Sequence, residues 1–333
     1  GEGLENPPTW EQALQGAHPP KGQGTVEEPG IGSHGWQYHA CCATYTTFSQ
    51  HHFQPSLGPR HRALLHSQSG PLAARAFTAL PTMPATRSRP ERFQVILRRR
   101  LWLSLPLAPR RCPGRTCRAY LDRHGHHLAA CPRTGLLKRR SRPIERAWAQ
   151  VFREAGARVV DNQLLRDTGV PGIRPTDQRA LEVVAYDLPL YSGMPLCCDA
   201  TLVSPLTREA APHHSSHEVP GAALLQAERK KRRTYREIVE GRHAKLLVLG
   251  NEVGGRWSDD ALTTLRLLAA ARARSAPKLL RGQLSAALRA RWSAMVAMAV
   301  QDATAATLTG AGCGALHFAS GPVPAWGEVG DDV

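Results

Sequence analysis

Two groups of residues in this chain have the types and spacing to do chemistry. The first lies in "CPGRTCRAYLDRHGHHLAAC", where Cys112, Cys117 and Cys131 bracket His124, His126 and His127. Three thiolates and one imidazole can close a tetrahedral zinc site, and ligands this close in sequence suit a small knuckle. His127 stands in H-x3-C spacing to Cys131 and His126 in H-x4-C, so either can be the fourth ligand; the set taken forward is Cys112, Cys117, His127 and Cys131. Zinc with four protein ligands keeps no open position for water, so its role there is structural. The competing account is three unrelated cysteines in a histidine-rich chain.

The second group is spread along the chain. "LCCDATLV" reads as a buried strand that keeps one carboxylate, Asp199, and "ALEVVAY" is a second strand carrying Glu182. Between Ala222 and Val239 a helical pattern puts Leu224, Glu228, Lys231, Tyr235 and Ile238 on one face. Lys231 therefore lies on the inward stripe, whereas Lys230 and Arg232 point elsewhere. An inward lysine is unfavourable unless it meets carboxylates. Two acids and a lysine at the edge of a mixed sheet can hold Mg²⁺ against a scissile phosphate, with the lysine positioning water or offsetting charge. A buried structural Asp–Lys pair is the alternative.

The elements that must position these residues can be read from periodicity. "RPIERAWAQVFREAGARVV" gives an apolar stripe of Ile144, Ala147, Trp148, Val151, Phe152 and Ala155, stopped by Gly156. Strands are expected at "ARVVDNQ", "ALEVVAY", "PLCCDATLVS" and "AKLLVLGNEV", with the Ala222–Val239 helix before the last. A helix capped by Ser258-Asp259-Asp260 and a long helix over "LSAALRARWSAMVAMAVQDATAATL" follow. The order from Arg142 onwards is α-β-β-β-α-β-α, a mixed α/β (α+β) fold. Residues 1–60 read as a mostly disordered lead, 61–108 as a helical linker, 109–135 as the knuckle and 141–275 as the core. Residues 277–310 read as a C-terminal helix and 311–333 as a disordered tail.

Lys and Arg total 43 against 27 for Asp and Glu, a net charge of +16 over 333 residues. This balance points to a polyanionic partner, since clustered cations gain by displacing nucleic-acid counterions; arginine enrichment from GC-rich coding is the bland account. No apolar run reaches the ~18–20 residues that span a bilayer, and no signal peptide is visible. Eight cysteines, some adjacent and the rest irregularly spaced, do not form a secreted disulfide framework. A reduced intracellular setting, nuclear or cytoplasmic, is expected. The chain opens on Gly1 and is expected to be a fragment.

From about Leu64 onwards, and most clearly from Arg111 to Arg256, the chain resembles the C-terminal part of non-LTR retrotransposon polyproteins. The phrases "LDRHGHHLAAC", "ALEVVAYDLPLYSGMPLCCDATLVSPL" and "KLLVLGNEVGGRW" look like those of copies abundant in some protist genomes. In that family a Cys-Cys-His-Cys knuckle precedes a restriction-endonuclease-like domain of the PD-(D/E)xK fold, whose core order is α-β-β-β-α-β. The resemblance implies a metal-dependent endonuclease that nicks target DNA for integration. It places Glu182 at the Asp of the family's Pro-Asp motif, Asp199 at the second acid and Glu145 at the acid of the first helix. Lys231, four residues before Tyr235, falls on the displaced helix lysine. The chain departs from the pattern at Leu181-Glu182, at Thr234 in place of a second lysine, and at Asp199-Ala200-Thr201. No Tyr-x-Asp-Asp pattern occurs, so no reverse transcriptase domain is included.

The implied cofactors are structural Zn²⁺ and catalytic Mg²⁺. DNA is the expected partner, with RNA second, and neither a membrane nor a small-molecule substrate is expected. Arg139, Arg140, Lys230, Arg232 and Arg233 are the candidate phosphate contacts. A non-catalytic nucleic-acid-binding remnant is the runner-up. A structural protein whose charge reflects codon usage is the third possibility.

Overall fold

The computed structural model describes residues 36–105 and 111–309. The expected tail and residues 1–35 of the expected lead lie outside them. The remainder of that lead is helical: α1 spans Trp36–Phe48 and helical turns continue to Ser56. Tyr45 and Phe48 are exposed there.

Helices α2 (Pro59–Ser67) and α3 (Pro90–Arg100) come before the knuckle, which carries the short helix α4 (His126–Ala130). Helix α5 (Leu136–Glu154) is followed by β1 (Arg158–Leu164), β2 (Ala180–Tyr186) and β3 (Leu196–Val203). Next come α6 (Ala222–Thr234), α7 (Arg236–Glu240), β4 (Lys245–Glu252), α8 (Asp259–Ala273) and α9 (Arg281–Thr309). The four strands form one sheet in chain order, β1-β2-β3-β4. The first two pairings are antiparallel and β3–β4 is parallel, so the fold is a mixed α/β sheet with the expected element order.

Each face of the sheet has its own core. On one side Ile144, Trp148 and Phe152 of α5 pack with Val183, Cys198, Ala200 and Leu249, together with α8 and α9. Trp148 stands 6.1 Å from Trp257, edge to face. On the other side Tyr235 and Ile238 pack over Cys197, Leu246 and Val248. The long helix α9 belongs to the first core through Trp292, Val296 and Val300. Its Arg291 and Trp292 both bond Glu154; Arg291 above all holds that carboxyl down at about 2. The described part of the expected 61–108 linker is packed against the rest: Val95, Ile96 and Leu105 meet Leu128 of the knuckle and Leu308 of α9.

Local rules explain most boundaries. Helix α5 ends in a Schellman pair, Gly156 N–H to Arg153 O and Ala157 N–H to Phe152 O, with Gly156 at φ +100°. It begins six residues before Arg142, running through Pro143. That proline has no N–H to give the Arg139 carbonyl, but the burial of Arg140 and Ile144 holds the first turns in place. Ser258 caps α8 by accepting from Ala261 N–H. The expected Ala222–Val239 helix is broken at Tyr235 (φ −113°, ψ 43°). Its hydroxyl reaches back to Ala180 O at 3.1 Å, drawing the chain against the start of β2.

Candidate functional site

The acid–lysine group sits where β2 and β3 part. Their paired register runs Ala185↔Leu196, Val184↔Cys197 and Val183↔Cys198, and stops before Glu182 and Asp199. One step further the Glu182 carboxylate accepts the Ala200 N–H, so a side chain replaces a ladder bond. On β1 the facing residue, Asn162, has φ +53°. The core side chains of β2 change face here: Val183 and Ala185 lie in the first core and Leu181 in the second.

Asp199 follows Cys197 by two residues, so it points to the same face as Cys197, towards α6. It is 1% exposed. Lys231 Nζ lies 2.6 Å from Asp199 Oδ2, and Thr201 Oγ1 donates to Asp199 Oδ1 at 2.9 Å. Lys231 keeps contact with solvent, its side chain being 32% exposed. The face expected from helical spacing is therefore the one that turns inward, with Leu224, Tyr235 and Ile238 buried along it. Arg179 secures the end of this helix pair by bridging Asp177 at 2.6 Å and Glu237 at 2.7 Å.

Glu182 is strongly perturbed. Burial pushes its carboxyl up to about 8; the Asp199 and Glu145 carboxylates add to the rise, and Lys231 and the Ala200 N–H oppose it. Glu145, half-buried on α5, thus acts on Glu182 through space. The Tyr235 phenol is also pushed up, first by burial and then by Asp199 and Glu182. Within the protein Glu182 is engaged by the Ala200 N–H, and Asp199 by Lys231 and Thr201.

The Cys–His cluster is closed. Ligand atoms of Cys112, Cys117, His127 and Cys131, all buried, lie within 4.8 Å of one another. Cys112 Sγ and Cys131 Sγ are 3.8 Å apart, and Cys117 Sγ is 3.4 Å from His127 Nε2. Tetrahedral zinc with Zn–S bonds of ~2.3 Å places its sulfurs ~3.8 Å apart. His127 Nδ1 lies 2.9 Å from the Arg208 carbonyl. Only Nδ1–H can donate there, which leaves the Nε2 lone pair for a metal. This selects His127 over His126, which instead stacks with His124 at 5.6 Å between ring centres. Asp122 braces the turn before α4 by accepting the N–H groups of His124, His126 and His127 at 2.8–3.0 Å. Burial alone would raise its carboxyl, but those donors hold it below the ordinary range. The cluster can hold a metal ion such as zinc.

The basic candidates divide. Arg139, Lys230 and Arg233 are exposed. Arg140 is not a phosphate contact: it is 6% exposed and donates to Ala129 O at 2.6 Å and Leu202 O at 2.7 Å. Arg232 is held by Glu228 at 2.7 Å and Asp260 at 2.9 Å, so much of its charge is answered within the protein. The guanidinium groups of Arg98, Arg99 and Arg100, a further basic run, likewise bond the carbonyls of Ser104, His124 and Gln68. Sequence reasoning did not single out Thr201, although period-two spacing puts it beside Asp199. Nor did it find the Arg208 carbonyl, which has no sequence signature. Among the described residues no helix is long and apolar enough to cross a membrane. No protein-family model and no curated protein matches the sequence.

Proposed function

We propose that this chain is a divalent-metal-dependent DNA endonuclease of the restriction-like type, carrying a structural zinc knuckle and nicking target DNA for retrotransposon integration. The observation that carries the reading is Asp199, buried on a central strand, bonded by Lys231 and next to Glu182, whose carboxyl is pushed up to about 8. Perturbed acids of this kind concentrate at functional sites.

Asp199 and Glu182 would hold Mg²⁺, with Glu145 adding negative charge from α5. When bound, such an ion polarises a phosphoryl oxygen and makes water a stronger nucleophile. Lys231, anchored on Asp199 but partly open to solvent, offers its remaining N–H donors to a phosphate oxygen or the attacking water. Tyr235 fixes the helix that presents Lys231. Exposed Arg139, Lys230 and Arg233 supply phosphate contacts that are independent of sequence. DNA is the leading partner and RNA the second, and a nuclear or cytoplasmic location accords with either.

The test is Mg²⁺-dependent nicking of supercoiled plasmid. Asp199→Asn should abolish nicking and leave DNA affinity nearly intact, and Lys231→Ala should cut the rate sharply. Normal nicking by Asp199→Asn sinks the assignment. One observation favours the second reading, a non-catalytic nucleic-acid-binding remnant: both acids already have protein partners. Unmodified protein that binds DNA but never nicks it decides for the remnant.

A further inference from the structure

We infer that the cavity between α2, α3 and the knuckle binds a nucleotide unit, a phosphate carrying a planar base. The cavity measures about 320 Å³, at the lower end of the ~300–1,000 Å³ typical of small-ligand pockets. It shares no lining residue with the acid–lysine site, and binding there stands whether or not that site cleaves DNA.

The first argument is charge. Arg60, Arg99, Arg100 and Arg123 line the cavity with Asp122 as the one carboxylate among them. That carboxylate is already taken up by three backbone N–H groups. Arg60 forms no hydrogen bond or ion pair among the described residues. Arg99, with five N–H donors available, reaches one acceptor among them, the His124 carbonyl at 2.9 Å. Burial lowers Arg99 to about 10, against the pull of Asp122. A buried cation with unused donors is unfavourable alone, and an anion resolves it.

The second argument is shape and aromatic character. Trp102 lines the same cavity, tilted against His61 at 5.1 Å between ring centres. Its indole Nε1 is buried without a hydrogen-bond partner, which is uncommon for tryptophan. Phe77 and Leu64 complete an apolar wall. Inorganic phosphate would satisfy the arginines and leave the aromatic and apolar wall unmatched. A base stacked against Trp102, His61 and Phe77 while its phosphate meets the arginines satisfies both.

Calorimetric titration of the full chain, purified with its metal, tests this with AMP, adenosine and inorganic phosphate as probes. AMP should bind about tenfold more tightly than either fragment, since one charge-assisted contact set accounts for that factor. Arg60→Ala, at an exposed residue whose side chain bonds none of the described residues, should weaken AMP by about tenfold with an unchanged circular dichroism spectrum. Trp102→Phe should weaken AMP more than it weakens phosphate. A 5′-phosphorylated trinucleotide identifies the source: tighter binding than AMP assigns a strand end, weaker binding assigns free nucleotide, and both support the site. The inference is overturned if AMP binds no better than phosphate, or if neither substitution changes its affinity.

Discussion

Replacing Glu182 with glutamine should change how the protein's stability responds to pH. In the unfolded chain this carboxyl titrates near 4.5; in the folded protein burial, then Asp199 and Glu145, push it up to about 8. Between those values the folded state holds a proton that the unfolded state has released. The folded state is then progressively penalised as pH rises. The contribution is present in full below about 4.5 and lost by the time pH passes about 8. At ~1.36 kcal/mol per pH unit, the whole interval corresponds to about 5 kcal/mol as an upper bound. Glu182→Gln carries no proton to lose, and its amide oxygen can still accept the Ala200 N–H.

Thermal unfolding followed by circular dichroism at pH 5, 6.5 and 8.5 reads this directly. The variant should match the unmodified protein within about 1 kcal/mol at pH 5 and exceed it by a few kcal/mol at pH 8.5. With ~2–4 °C per kcal/mol for a chain of this size class, the gap at pH 8.5 should reach about 5–15 °C. Mg²⁺ should narrow it, because an ion bound only to the folded state adds ~2.7 kcal/mol at a hundred times its Kd. That gain should vanish in the variant. A gap that stays constant from pH 5 to pH 8.5 would refute the claim that Glu182 is held protonated by its surroundings.

Three further outcomes are expected. Elemental analysis should find one zinc per chain, and converting Cys112, Cys117 and Cys131 together to serine should remove it and lower the thermal midpoint; zinc retained in that variant assigns the metal elsewhere. Arg140→Met should destabilise the protein by about 2–4 kcal/mol in urea unfolding, since it strips the donors from two buried carbonyls, with the salt slope of DNA binding unchanged. Lys230→Ala should do the reverse, shifting stability within ~0.5 kcal/mol while reducing the slope of log affinity against log salt by about 0.9.

Features that depend on local periodicity were legible in the sequence. The stripe Ile144, Trp148, Val151 and Phe152 fixes the face of α5, and the helical spacing of Leu224, Lys231 and Tyr235 points Lys231 at Asp199. The Gly156 stop and the Ser258 cap follow from backbone chemistry that only a few residue types satisfy. Arg140 was misread because charge in a basic run looks solvated until its partners are known. For Arg140 those partners are main-chain carbonyls at 129 and 202, which any residue supplies. The break at Tyr235 was hidden for a related reason: the acceptor for its hydroxyl is a carbonyl 55 positions away. The extension of α5 through Pro143 contradicts the propensity of proline, and tertiary burial of Arg140 and Ile144 overrides it.

The same long-range carbonyl contacts join the Cys–His cluster and the acid–lysine group within one packed body. Arg140 joins the end of α4, at Ala129 O, to Leu202 O on β3, three residues beyond Asp199. His127, a candidate ligand, bonds Arg208 O in the segment that leads from β3 towards α6, the helix that presents Lys231. The strand that carries Asp199 and the segment that leads towards α6 are therefore each linked by hydrogen bonds to α4, the helix that carries His127. Three thiols and an imidazole packed this tightly gain most when a metal replaces their protons. Metal binding at the knuckle would stiffen the path from β3 into α6. A metal held there would thereby brace the strand edge where Glu182 and Asp199 stand.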